Sequence, residues 1–246
     1  MSDQPENALV IVDLEKGAPV GKVELGESPE GVGISPDGNW IIAASEISNA
    51  VSFIDTKTKK KVFSVKTQGK NPEHAVFSPD GKWVYVSAEE ADSVDIIDVE
   101  KRAEVKAVKV GDRPRGIGFL PDGSRAIVAS ELASQVYVID TATQEVVAKV
   151  KPGNFSNGVA VRPDGKRVFI SNGKDGTVSV IDTATNAVVA TVPVGKRPWN
   201  MAITPDGKKL YVANGKSNSV TVIDTETYQP LKEIPVGDTP WGVVIR

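Results

Sequence analysis

The stretch Pro198–Gly237, PWNMAITPDGKKLYVANGKSNSVTVIDTETYQPLKEIPVG, holds four short apolar segments, NMAI, KLYVA, SVTVID and PLKEI, each bounded by turn residues. Segments of this length, rich in Val, Ile, Tyr and Ala and without a sustained 3.6-residue period, predict strands rather than helices. The Pro205-Asp206-Gly207 turn has a mechanism. Proline presets φ, the aspartate side chain can accept from nearby backbone N–H groups, and glycine tolerates positive φ. Asp224-Thr225-Glu226-Thr227 makes a second turn, with side-chain oxygens capping backbone donors.

This unit is one of a series. Pro-Asp-Gly begins at Pro36, Pro79, Pro121, Pro163 and Pro205, at spacings of 43, 42, 42 and 42 residues. An apolar segment ending in aspartate recurs at Asp13, Asp55, Asp98, Asp140, Asp182 and Asp224, always 19 residues after a Pro-Asp-Gly proline where one precedes it. Aspartates this regular belong to a turn and not to a catalytic set. The one extra residue falls in Ser64–Pro72, SVKTQGKNP, and predicts a bulge or lengthened loop. Four antiparallel strands in about 42 residues describe a β-propeller blade. The expected fold is all-β: a six-bladed β-propeller of four-stranded antiparallel blades.

The units resemble the YVTN β-propeller repeats, whose Tyr-Val-Thr-Asn strand end stands here as Tyr211-Val212-Ala213-Asn214. The Val-Ile-Asp-Thr strands and Val-Gly-x-x-Pro-x-Gly linkers fit as well, over essentially the whole chain. More narrowly, RPWNMAITPDGKKLYVANGKSNSVTVID with the closing PWGVVIR is similar to bacterial propellers associated with pyrroloquinoline-quinone-dependent catabolism. That resemblance implies an exported, periplasmic or secreted protein linked to quinoprotein alcohol oxidation. It names no activity.

Composition narrows the chemistry. The 246 residues carry 29 Lys and Arg against 32 Asp and Glu, a net charge of −3, so no basic field exists for nucleic acid. No apolar run approaches the ~20 residues of a membrane span, and the N-terminus lacks a signal-peptide layout. With no cysteine, disulfides, thiolate nucleophiles and Cys-ligated metals are excluded; with one histidine, so are multi-histidine metal sites. No cofactor is expected.

The blades begin near Gly31, His74, Gly116, Gly158 and Asn200 within a single domain, 1–246. The sequence starts inside a unit, with Met1-Ser2 as the remnant of a second strand, and stops after a first strand, Trp241 to Arg246. Residues 1–25 and 241–246 are therefore expected to share the closing blade, with an N-terminal piece trimmed away. Sharing removes free sheet edges.

One face of such a meander carries the repeated turns. The other varies between units, and variable loops on a rigid scaffold are where binding sits. Just before the first strand of each blade stand Glu30, Glu73, Arg115, Asn157, Trp199 and Trp241. Two places after the second strand stand Gln4, Glu46, Glu89, Glu131, Gly173 and Gly215. Glutamates thus gather around Arg115 on one side, and tryptophans beside glycine-bearing loops on the other. The polarity suits a protein partner or a small cationic or aromatic ligand at the channel mouth. Ca²⁺ is a weaker option, because the glutamates come from separate loops. Trp40 and Trp83 occupy the slot filled elsewhere by Arg125, Arg167 and Lys209, and are expected to pack at blade edges.

Three functions compete on this reading. The favoured one is a non-enzymatic binding or scaffold propeller. The alternative is a hydrolase or lactonase at the channel mouth using His74, Glu73 and Arg115, with the carboxylate orienting the imidazole as a general base. An electron-transfer role is the third, weakened by the absence of any covalent attachment site.

Overall fold

The computed structural model describes residues 1–245 and resolves into two compact units, Met1–Val110 and Gly111–Arg246. The first unit holds three antiparallel sheets. They are β1 (Ser2–Asp3), β2 (Ala8–Asp13) and β3 (Ala18–Glu24); β4 (Pro29–Ile34), β5 (Trp40–Ser45), β6 (Ala50–Asp55) and β7 (Lys60–Lys66); and β8 (Pro72–Phe77), β9 (Trp83–Ala88), β10 (Ser93–Asp98) and β11 (Ala103–Lys109). The second unit holds three more. They are β12 (Pro114–Phe119), β13 (Arg125–Ser130), β14 (Gln135–Asp140) and β15 (Glu145–Val150); β16 (Ser156–Val161), β17 (Arg167–Asn172), β18 (Thr177–Asp182) and β19 (Ala187–Pro193); and β20 (Pro198–Ile203), β21 (Lys209–Asn214), β22 (Ser219–Asp224) and β23 (Pro230–Pro235). The chain is an all-β, six-bladed propeller, with three blades in each unit. Among the described residues the only helical turn is Glu89–Ala91.

Five blades are four-stranded, and the first has three strands. The short β1 pairs with β2 through Ser2 opposite Leu9. Residues 241–245, expected as the blade's first strand, carry no strand, and Val244 is 95% exposed. Arg246 lies outside the described residues.

The turn chemistry explains the beat. Asp140 Oδ1 accepts from the Thr143 backbone N–H at 2.9 Å and from its hydroxyl at 3.1 Å; Asp182 and Asp224 repeat the arrangement with Thr185 and Thr227. The first threonine of each turn then reaches the Pro-Asp-Gly turn of its own blade, as Thr141 donates to the Gly123 carbonyl at 2.6 Å. Gly123 itself has φ +73°, a value costly for any residue with a Cβ. Hydrogen bonding holds these turn carboxylates below their usual range, to about 2 for Asp37.

Alternating apolar residues of neighbouring sheets meet in the core. In the first unit Ile42, Phe53, Val84 and Ile97 are buried together; in the second, Ile127, Val138, Ile170 and Ile181, and Phe169, Val180, Leu210 and Ile223. Trp40 packs edge-on against Phe53 and Phe63 with centroids 6.3 and 5.7 Å away, as its edge position predicts.

The extra residue forms a lengthened loop after β7, anchored on acid. Gly69 N–H donates to Asp95 at 2.8 Å and Gln68 N–H to Glu104 at 2.6 Å, on two strands of the next blade. Burial pushes the Asp95 carboxyl up; burial, then the Asp95 charge, raises Glu104. A raised folded pKa gives stability that is complete below the unfolded value and lost as pH rises through the folded one. The Asp95→Asn variant is therefore expected to gain in melting temperature on wild type as pH is raised from 4 to 7, in thermal melts across that range. A constant difference would refute it.

Candidate functional site

Four of the five first strands begin with proline, and in all five four-stranded blades the register to the second strand shifts straight after the first residue. The breaks fall at Pro29/Val32, Pro72/Ala75, Pro114/Ile117, Ser156/Val159 and Pro198/Met201. Ser156 is the one start that is not proline. Glu30, Glu73, Arg115, Asn157 and Trp199 each lie inside that break. A bulge frees its residue from the ladder and re-aims the side chain, so one local device presents all five.

The glycine after the ring position has a separate reason. A Cβ on Gly31 would overlap the Glu73 carbonyl and crowd His74 Cα; one on Gly116 would overlap the Asn157 carbonyl, and one on Gly158 the Trp199 carbonyl. The first strands of successive blades touch backbone to backbone there. Ser171 reinforces one such contact: its hydroxyl accepts from Gly158 N–H at 2.8 Å and donates to the Trp199 carbonyl at 2.6 Å.

In the first unit Glu30, Glu46 and Glu89 each accept from a neutral side chain, and Gln4 also donates to the Ser28 hydroxyl at 3.2 Å. Glu30 accepts from the Gln4 amide, Glu46 from the Ser28 hydroxyl at 2.8 Å, and Glu89 from the Asn71 amide at 3.2 Å. Glu73 is fully buried, with His74 Nδ1 3.6 Å from its Oε1, while His74 N–H donates to Ser87 at 3.0 Å. Among the described residues no group of three or more His, Asp or Glu side chains converges as a metal would require, so the Ca²⁺ option has no geometric support.

The second unit differs in kind. Glu131 follows β13 and is 1% exposed. Arg115 Nε stands 3.2 Å from its Oε2, Arg113 Nε 3.8 Å from the same oxygen, and Arg197 pairs with Oε1. Arg113 and Arg197 occupy the residue before the proline of β12 and of β20, with φ +59° and +55°. Phe155, the equivalent residue before β16, has φ +58°, and its ring lies 5.4 Å from the Arg197 guanidinium and 5.5 Å from Lys174 Nζ. Arg197 also lies 5.9 Å from the Trp199 ring centroid.

The two glycine-bearing loops now have an explanation. A Cβ on Gly173 would run into the Arg197 guanidinium, and one on Gly215 into the Trp199 ring. Trp199 and Arg197 are laid down on those glycines. Asn157 is buried, and Trp241 is 40% exposed with its carbonyl accepting from Asn200 N–H at 3.2 Å.

Of the residues singled out in the ring register the structure brings Arg115, Glu131 and Trp199 into one cluster, together with Arg113, Phe155 and Arg197, which that register does not contain. Those three share one column of the repeat, Ser28, Asn71, Arg113, Phe155, Arg197 and Thr239, so reading the units two residues upstream of the ring position finds them. Arg115 is joined beside Glu131 by Arg113 and Arg197.

Comparison with known proteins follows the same lines. Residues 99–232 match the family described as lactonase, 7-bladed beta-propeller, and residues 6–114 match the family described as YNCE-like beta-propeller. No curated protein matches the chain significantly. A chain of Kuenenia stuttgartiensis hydrazine synthase superposes with a TM-score of 0.88 at 24% identity, over 98% of this chain and 84% of that one, which shows a shared fold. No helix among the described residues is long and apolar enough to cross a membrane.

Proposed function

Because the chain belongs to the lactonase, 7-bladed beta-propeller family through residues 99–232, yet has six blades, we propose that it is a ligand-binding propeller of that family rather than a hydrolase. Its ligand is held by the residues displayed at the bulges of the first strands. The observation that carries this is the setting of Glu131, 1% exposed among Arg113, Arg115 and Arg197. Guanidinium groups do not give up protons in a protein, and a carboxylate engaged by three of them offers no attack on a carbonyl carbon. Charge and directed N–H groups remain, which is the chemistry of recognition.

A hydrolase is the second reading, favoured by the family's description and by His74 Nδ1 at 3.6 Å from buried Glu73. Its third member, Arg115, lies 3.2 Å from Glu131. Both catalytic candidates, Glu73 and His74, fall outside the matched segment. A panel of lactones and esters assayed on wild type and His74→Ala decides between them. The binding reading expects no turnover above buffer for either protein. Turnover by wild type that disappears in His74→Ala would overturn it.

The resemblance to propellers of pyrroloquinoline-quinone-dependent catabolism extends the proposal to an exported protein serving quinoprotein alcohol oxidation. Fractionation of the native host, with the chain recovered in the periplasm or medium, tests the export.

A further inference from the structure

We propose that the chain pairs with a second copy of itself through β19 (Ala187–Pro193), whose free edge takes the same strand of that copy in antiparallel register; this goes beyond the ligand-binding reading above and does not depend on it. In each blade the last strand pairs within its sheet on one side only. Such an edge offers a row of unused backbone N–H and C=O groups, and charged side chains, lysine above all, guard against pairing there. Five of the six last strands carry that guard: Lys22 on β3, Lys60 on β7, Lys106 on β11, Lys149 on β15 and Lys232 on β23. β19 reads AVVATVP and has no charge at all, nor does any residue from Thr183 to Gly195.

A second observation coincides with the first. Val188 and Val189 are 38% and 49% exposed, whereas each of the other five last strands exposes a single large apolar side chain. Every last strand has a bulge at the place of Val189, so the bulge does not set β19 apart. Beyond it Ala190–Pro193 runs in unbroken register with β18. Charge then selects the occupant. An acidic or basic strand laid on this edge meets no opposite charge from Thr183 to Gly195. An uncharged strand of small and β-branched residues loses nothing there, and the chain supplies one in β19 itself. A two-fold axis sets Val188, Val189 and Thr191 among the same residues of the copy, the kind of cross-strand pairing that stabilises sheets. With one such edge per chain the contact is isologous and closes at two copies instead of growing into a filament. Seven residues of strand span about 23 Å, less than a standard interface needs, so the dimer is weak and depends on concentration.

The test is analytical ultracentrifugation of the full chain from about 1 μM to about 1 mM, the range of weak association. Wild type is expected to pass from one copy to two as concentration rises and to go no further. Amide hydrogen exchange along Ala187–Val192 is expected to slow over the same range. Val188→Lys and Thr191→Lys are each expected to weaken the dimer at least tenfold. Both put lysine where this fold already accepts it, at the places of Lys61 in β7 and Lys149 in β15, and circular dichroism checks that the sheets are retained. Ala107→Lys, at the place on β11 equivalent to Thr191, is expected to leave the dimer unchanged. A dimer that survives both β19 variants, or that Ala107→Lys weakens as much, overturns the assignment, and so does assembly beyond two copies. A wild type that stays single throughout also overturns it, and binding of a synthetic peptide of residues 187–193 by that monomer would give the edge to a partner's strand instead.

Discussion

Replacing Gly158 by alanine is expected to lower the melting temperature by roughly 5–10 °C, while the same change at Gly237 is expected to do almost nothing. Both glycines stand in the linkers between units, Gly158 closing Pro152-Gly153-Asn154-Phe155-Ser156-Asn157-Gly158 and Gly237 opening Val236-Gly237-Asp238-Thr239-Pro240-Trp241-Gly242. They differ in what a methyl group meets. At Gly158 it overlaps the Trp199 carbonyl, with Ser171 Oγ at 3.1 Å and Asn200 Cα at 3.2 Å; at Gly237 nothing lies within 4 Å. The Trp199 carbonyl is main chain and cannot swing aside, so β20 must move away from β16 and the Ser171 bridge must stretch. Overpacking of this kind costs about 1–3 kcal/mol, and in a protein of this size each kcal/mol is about 2–4 °C. Gly116→Ala and Gly31→Ala, against the Asn157 and Glu73 carbonyls, are expected to behave like Gly158→Ala. Thermal melts of the four variants check the set. If Gly158→Ala melts with Gly237→Ala, successive first strands are not in backbone contact.

That result would also show why the repeat made the fold legible while the site was only half legible. A period of 42 residues, a proline-led turn and an aspartate-threonine turn are local devices, and each needs only its own few residues to declare itself. They give the blades, the strand order and the ring register, because register is a matter of counting. Partners across the register are different. Glu46, Glu89 and Glu131 occupy one column and read as equals, yet Glu46 is partly exposed beside a serine, Glu89 accepts from Asn71, and Glu131 is buried among three arginines. Arg197 reaches Glu131 across 66 residues of chain, and no spacing rule announces a contact so distant. The lengthened loop before Pro72 was similarly readable as an insertion. Its anchorage on Asp95 and Glu104 depends on which blade edge it meets.

Removing the Glu131 carboxylate is expected to be the most damaging single change at the ring. In Glu131→Ala three guanidiniums lose a carboxylate they share, and Arg115 and Arg197, with side chains only 17% and 22% exposed, cannot escape fully into water. Breaking a buried ion pair by deleting one partner costs about 3–5 kcal/mol. The low end applies here, since Arg113 is 40% exposed and solvent screens part of the repulsion. A loss of about 3 kcal/mol corresponds to roughly 6–12 °C. Glu46→Gln, which keeps an oxygen for the Ser28 hydroxyl 2.8 Å away, is expected to stay within about 0.5 kcal/mol of wild type. Two further signatures separate lost charge from lost packing. Added salt is expected to stabilise Glu131→Gln relative to wild type, because it screens the arginines from one another. Arg197→Gln placed in the same chain is expected to recover part of the loss, giving a coupling of at least about 1 kcal/mol in a double-mutant cycle. Denaturant titrations at low and high salt measure both. If Glu131→Gln is as stable as Glu46→Gln, indifferent to salt and uncoupled from Arg197, then the arginines do not depend on this carboxylate. The glutamate would then add no more to stability than its counterpart at position 46.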